Sequence, residues 1–281
     1  MKKAKVTKKI ISEFRDYLIK EEKSPSTISK YIHDIRVFAK YLSGGEITKE
    51  NVIAYKQDLI DNGYTVCSVN SMLAAVNGLF AFIGRHDLKV KTIKVQRKVY
   101  CPEEKELTQE EYERLCLTAQ KRHNERLYLI LQTICSTGIR VSELQYISVE
   151  AVKNGEAVVS CKGKTRTVFL VKRLRKKLLR YISDHKIKSG AVFTTRKGKP
   201  LSRSAIWREM KSLCKEANVS PSKVFPHNLR HLFARVFYNI EKDIAKLADI
   251  LGHSSIDTTR IYIISTGAEH RRQMENMRLI L

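Results

Sequence analysis

Pro226-His227-Asn228-Leu229-Arg230-His231-Leu232-Phe233-Ala234-Arg235-Val236-Phe237-Tyr238-Asn239-Ile240 is the stretch from which the rest of the chain can be read. Leu229, Leu232, Phe233, Val236, Phe237 and Ile240 recur at helical spacing and form one apolar face. The polar opening carries chemistry. His227 and Arg230 stand three apart and project from one side, and His231 continues that side one turn from His227. A His and an Arg side by side can hold and neutralise two phosphate oxygens. A capped helix with polar residues at its mouth accounts for the same letters, so the segment needs partners elsewhere.

Three other segments supply them. Upstream, Thr137-Gly138-Ile139-Arg140-Val141-Ser142-Glu143-Leu144 has Gly138 closing one helix and Arg140 opening the next. Amides at a helix start favour anions, and an Arg there can clamp a phosphate with its planar fork. Glu143, one turn on, can hold a neighbouring His or Arg in place. Ala157–Ser160 and Thr167–Val171 are β-like runs around Lys162-Gly163-Lys164, which reads as a hairpin. A lysine at its tip can deliver a proton, although two lysines in a turn are ordinarily just solvated. Downstream, Leu251-Gly252-His253 ends another helix, and Thr258-Thr259-Arg260-Ile261-Tyr262 follows. A tyrosine is a poor nucleophile unless cations stabilise its phenolate or a base takes its proton. Taken alone, Tyr262 between Ile261 and Ile263 reads as a packed aromatic.

The remainder frames these segments. The chain has 281 residues, 43% of them hydrophobic, enough for a substantial core. Its 53 Lys and Arg against 29 Asp and Glu leave a net charge of +24, which favours a polyanionic partner. There is no apolar run long enough to span a bilayer, and Met1–Lys5 is basic without the apolar stretch of a secretory signal. None of the six cysteines forms a C-x-x-C pair, so no zinc site is expected. Scattered cysteines fit a reducing cytoplasm. Apolar periodicity predicts four N-terminal helices: around Ile10–Leu18, from Ile28 to Leu42, from Thr48 to Asn62, and from Val66 to Ile83. Short loops between them predict a bundle. Residues 89–105, rich in Lys and Arg, lose the periodicity and read as a basic linker. Thr108 and Glu111 form a capping-box pattern that opens a second domain.

In this order and at these intervals, Arg140, the hairpin lysine, His227-x-x-Arg230, Gly252-His253 and Tyr262 resemble the catalytic domain of the tyrosine recombinase family, the phage-integrase and Xer-type enzymes. The family's Thr-Gly-x-Arg-x-Ser-Glu-Leu, His-x-Leu-Arg-His and Leu-Gly-His motifs are met at Thr137–Leu144, His227–His231 and Leu251–His253. Its hairpin lysine lies about two dozen residues after the first Arg, which selects Lys164 over Lys162. The departures are Leu232 and Arg235, where threonines are common, and Asn239–Lys242, where a glycine is common. Nothing before Thr7 is long enough for the arm-binding domain of some phage integrases.

The resemblance implies a mainly α protein with a small β-hairpin. A helical core-binding, SAM-like domain would span 1–88, a basic linker 89–105 and a mixed α+β catalytic domain 106–281. It implies site-specific recombination of double-stranded DNA through a 3′-phosphotyrosyl bond to Tyr262. Arg140, Arg230 and His253 would hold the phosphate, His227 would act as base or phosphate ligand, and Lys164 as general acid. Glu143, His231 and Lys162 would support them. It implies no cofactor and no metal, a tetramer on paired DNA sites, no membrane, and a cytoplasmic location. Met274, Met277, Leu279, Ile280 and Leu281 could contact a neighbouring copy or fold onto their own domain. The rival readings are a type IB topoisomerase, which relaxes supercoils without a second site, and a catalytically silent DNA-binding protein of the same fold.

Overall fold

The computed structural model describes residues 5–94, 105–161, 164–195, 197–263 and 274–277, with the backbone alone for Cys161, Lys164 and Ile263. The chain divides into two units, Met1–Arg97 and Lys98–Leu281.

The first unit holds four helices: α1 Lys8–Lys20, α2 Pro25–Leu42, α3 Lys49–Asp61 and α4 Val66–Phe82. Each begins on a hydroxyl. Thr7, Ser24, Thr48 and Thr65 each accept the backbone N–H three residues on, which satisfies one amide that the helix leaves free. Phe14, Ile35 and Leu79 fill one part of the core, and Phe38, Val52, Tyr55, Leu73 and Phe80 fill another. The chain after the bundle is tied back to α4. Asn77 bonds both the N–H and the C=O of Val90, and Asn70 does the same for Ile93. The start of the expected linker therefore lies against this unit.

In the second unit, α5 Gln109–Lys121 opens with a true capping box between Thr108 and Glu111. Then come α6 Glu125–Thr137, a 3-10 turn Val141–Tyr146, and α7 Val149–Asn154. Strands β1 Glu156–Cys161 and β2 Lys164–Phe169 pair antiparallel, with Cys161 opposite Lys164 and Val159 opposite Arg166. Ala157, Val159 and Val168 face the core, whereas Val158 and Phe169 face outward. Helices α8 Lys172–Asp184, α9 Arg203–Ala217, α10 Pro226–Glu241, α11 Ile244–Leu251 and α12 Ile256–Ile263 complete the unit. Leu127, Ile130, Ile134, Leu178, Met210 and Leu229 are among its buried core.

Three local differences from the sequence reading have physical reasons. The second strand starts at Lys164 rather than Thr167, because the ladder runs nearly to the turn, and it stops at Phe169 because Val171 caps α8. Arg140 opens a 3-10 turn rather than an α-helix. Between α10 and α11, Lys242 takes the left-handed conformation at φ 56°, the conformation that glycine favours. Met274 and Met277 are exposed, and Leu279, Ile280 and Leu281 lie outside the described residues.

Candidate active site

Gly138 sets the geometry. It ends α6 in the left-handed conformation at φ 63°. A Cβ there would sit 2.5 Å from the Phe233 ring and 2.8 Å from Leu251, so the end of α6 presses directly on α10 and α11. This close approach lets the Gly138 carbonyl accept a hydrogen bond from Arg230, which lies one turn into α10.

Arg230 is only 1% exposed. A charge this deep needs partners. It donates to the carbonyls of Gly138 and Leu251, the latter at 2.7 Å, and to His253 Nε2 at 2.9 Å. Its Nε has no partner among the described residues. Burial first, then the neighbouring Arg140, lowers its pKa to about 10, so it stays cationic at neutral pH.

Arg230 is a donor only, so His253 Nε2 must accept. The ring proton then sits on Nδ1, which donates to Thr259 Oγ1 at 2.8 Å. Burial, followed by Arg230, Arg140 and Arg166, pushes His253 down to about 4, which agrees with a neutral ring. Thr259, fully buried, is thus a supporting residue that the sequence reading named within a motif but gave no role.

Tyr262 is 6% exposed and packs with Ala234, Leu247 and Leu251, so it is indeed a packed aromatic. Its hydroxyl is nevertheless engaged, 3.1 Å from His227 Nε2. Its ring stacks on His231 at 4.2 Å, and the Arg230 guanidinium carbon lies 5.8 Å from its centroid. Burial, then Arg230 and Arg140, lowers the His227 pKa. Burial, then His227, pushes His231 to about 3. A neutral His227 can accept the phenol proton.

Arg140 lies at the other side of Gly252, donating to its carbonyl at 3.4 Å and to Glu143 Oε1 at 2.9 Å. Glu143, 2% exposed, reaches back to the Arg140 backbone N–H at 2.9 Å. It also receives both prongs of Arg166 from β2, at 3.1 and 2.9 Å. Burial raises the Glu143 carboxyl, but the bonds from Arg166 and Arg140 outweigh it and hold the group below its ordinary range. Arg166 was missed by the sequence reading. Its one signal was a place two residues after Lys164, just before the start of the expected hairpin strand.

The structure thus brings together Arg140, Glu143, His227, Arg230, His231, His253 and Tyr262 from four segments of the second unit. Lys164 is the first residue of β2, and Lys162 lies outside the described residues. Among the described residues there is no group of three His, Cys, Asp or Glu arranged to hold a metal ion.

The Phage integrase family matches residues 105–269, and the phage integrase N-terminal SAM-like domain matches residues 11–86. Tyrosine recombinase XerA of Thermococcus kodakarensis is 30% identical over 281 residues, covering 96% of each chain. The crystal structure of XerH site-specific recombinase in a post-cleavage complex with palindromic difH substrate shares the fold. Its TM-score is 0.73 at 21% identity, over 90% of this chain and 79% of that one. So does a lambda integrase tetramer bound to a Holliday junction, with TM-score 0.74 at 18% identity over 90% of this chain and 76% of that one. The protein belongs to the phage integrase family of tyrosine recombinases.

Proposed function

We propose that this chain is a site-specific DNA recombinase that cuts and rejoins duplex DNA through a 3′-phosphotyrosyl bond to Tyr262. The observation that carries the reading is the Tyr262 hydroxyl 3.1 Å from Nε2 of His227, with the Arg230 guanidinium beside the Tyr262 ring. His227 draws off the phenol proton as the oxygen attacks phosphorus. Arg140 and Arg230 neutralise the charge that rises on the non-bridging oxygens, and Arg230 keeps a spare Nε donor for them. His253 orients Arg230 in the free enzyme. Approach of the phosphate favours a proton on its Nε2 and turns it into a further donor. His231 and Glu143 support the nucleophile and the arginines respectively. A hairpin lysine, Lys164 by the family interval, protonates the departing 5′-oxygen. Bond energy stays in the phosphotyrosyl link until a hydroxyl from the partner strand displaces it. Positive side chains supply the charge stabilisation, and the reaction takes place without a metal or cofactor.

The net charge of +24 suits a double-stranded DNA partner. By analogy with the lambda integrase tetramer on a Holliday junction, the working form is a tetramer on two paired sites. Among the described residues no helix is long and apolar enough to cross a membrane, and we place the protein in the cytoplasm with its DNA. The reading divides the chain into a core-binding domain at 1–88, a linker at 89–105 and a catalytic domain at 106–281. The test is exchange between two DNA fragments bearing the inverted repeats or element ends that flank the gene. Recombinant products are expected. Relaxation of supercoiled DNA with no exchange would instead place the chain with the type IB topoisomerases, and binding without cleavage would make it a silent relative.

A further inference from the structure

We propose that Arg166 is a positioning residue that locks the β-hairpin, and with it the hairpin lysine, onto the Arg140 turn and the His253 segment. The inference rests on the recombinase reading above and adds a residue that reading does not require.

Every nitrogen of the Arg166 side chain is engaged, and the side chain is only 12% exposed. Nη1 and Nη2 donate to the two oxygens of Glu143 at 3.1 and 2.9 Å, and Nε donates to the Ile250 carbonyl at 3.2 Å. A planar fork on a carboxylate fixes orientation as well as distance. The Arg166 stem also lies flat across Gly252, where a Cβ would come within 2.6 Å of its Cδ. One side chain therefore fastens three segments. Through Glu143 it reaches the turn that presents Arg140. Through Ile250 and Gly252 it reaches the chain that presents His253. Its own strand carries Lys164 two residues earlier, next to the tip.

Glu143 completes the lock. Its two oxygens accept four hydrogen bonds, two from Arg166 and two from Arg140. That leaves it little capacity for other donors, so its position is set by the two arginines together. A solvated arginine on a strand would show neither the burial nor the paired contact. A lysine at this position has a single ammonium and cannot bridge both Glu143 oxygens and the Ile250 carbonyl.

The lock predicts that losing Arg166 harms leaving-group protonation rather than DNA binding. Arg166→Met and Arg166→Lys in the full chain are assayed by single-turnover cleavage of nicked DNA. Two substrates are used, one with the normal 5′-oxygen and one with a 5′-bridging phosphorothiolate, whose thiolate leaves without a proton. DNA affinity and thermal unfolding are measured alongside. We expect both variants to cleave normal DNA about 10²-fold more slowly and to recover to within about tenfold of the native rate on the sulfur substrate. DNA affinity should change by no more than about threefold. Equal slowing on both substrates, or a native rate for Arg166→Lys on normal DNA, overturns the inference. Arg166→Lys keeps the charge and guards against a misfolded Met variant. Lys162→Ala and Lys164→Ala run in parallel separate the two ideas. If one is rescued by sulfur and the Arg166 variants are not, only the lock fails. If no variant is rescued, the lock and the hairpin acid both fail.

Discussion

Replacing Gly138 by alanine tests whether the end of α6 really presses on α10 and α11. The new Cβ meets two costs. At φ 63° a side chain sits in the left-handed region, a penalty of roughly 1–2 kcal/mol. The Cβ would also lie 2.5 Å from the Phe233 ring and 2.8 Å from Leu251, and overpacking of this kind costs roughly 1–3 kcal/mol. Together these are about 2–5 kcal/mol, or roughly 4–20 °C in melting temperature for a domain of this size. Gly198 is the control, because its φ is 72° and nothing lies within 4 Å of its Cβ position. Gly198→Ala should bear the conformational cost alone, about 1–2 kcal/mol. The assay is thermal unfolding of both full-length variants. Cleavage of nicked DNA is then measured well below both midpoints. Gly138→Ala should also cleave at least about tenfold more slowly, because its carbonyl holds Arg230, which stabilises the transition state. If Gly138→Ala melts no lower than Gly198→Ala, the close approach is not real and the derivation of the Arg230 position fails with it.

Other expectations follow from the same site. His253 at about 4, His231 at about 3 and a lowered His227 all bind protons more weakly folded than unfolded, where they titrate near 6.5. Stability from these groups is complete above about pH 6.5 and falls as the pH drops toward 4; denaturant midpoints at pH 7 and pH 5 check this, and His231→Phe should lose less over that interval. An equal loss in His231→Phe would remove His231 from the explanation. Lys164→Ala should cleave normal DNA about 10²–10⁴-fold more slowly and recover on the phosphorothiolate, while Lys162→Ala behaves as native; the opposite pattern assigns the acid to Lys162. Binding measured by gel shift should weaken by about a hundredfold or more between ~50 and ~200 mM salt, since many Lys and Arg displace counterions, and a flat response would argue against extensive phosphate contact. Cleavage should persist in excess chelator, and dependence on added Mg²⁺ would refute the metal-free mechanism.

Much of the fold was legible because its signals are local. Thr48, and Thr108 with Glu111, mark helix starts through bonds made within one turn. Gly138 and Gly252 mark helix ends through their own backbone conformation. The site motifs were legible for a different reason: their order along the chain resembles a known family. What escaped was non-local. Arg166 reads as one more cation between the hairpin turn and the second strand, and its partners lie 23 and 84 residues away. Thr259 reads only as part of the run before Tyr262, yet it sets the tautomer of His253. The burial of Arg230 was equally hidden. Spacing places it beside His227, but only packing of α6 against α10 brings the Gly138 and Leu251 carbonyls to it. The start of β2 was placed three residues late because the polar Lys164-Thr165-Arg166 hides the ladder that the backbone forms.

The central claim is that the Tyr262 hydroxyl is the atom that takes the phosphate. It is tested by incubating native protein and Tyr262→Phe with labelled, nicked suicide DNA, then separating the products under denaturing conditions. Phenylalanine keeps the stack on His231 and the packing against Leu247 and Leu251, and removes only the oxygen that meets His227. The account predicts a covalent protein–DNA band from the native chain, none from the variant, and DNA affinity within a few-fold of native. A covalent band from Tyr262→Phe would contradict it.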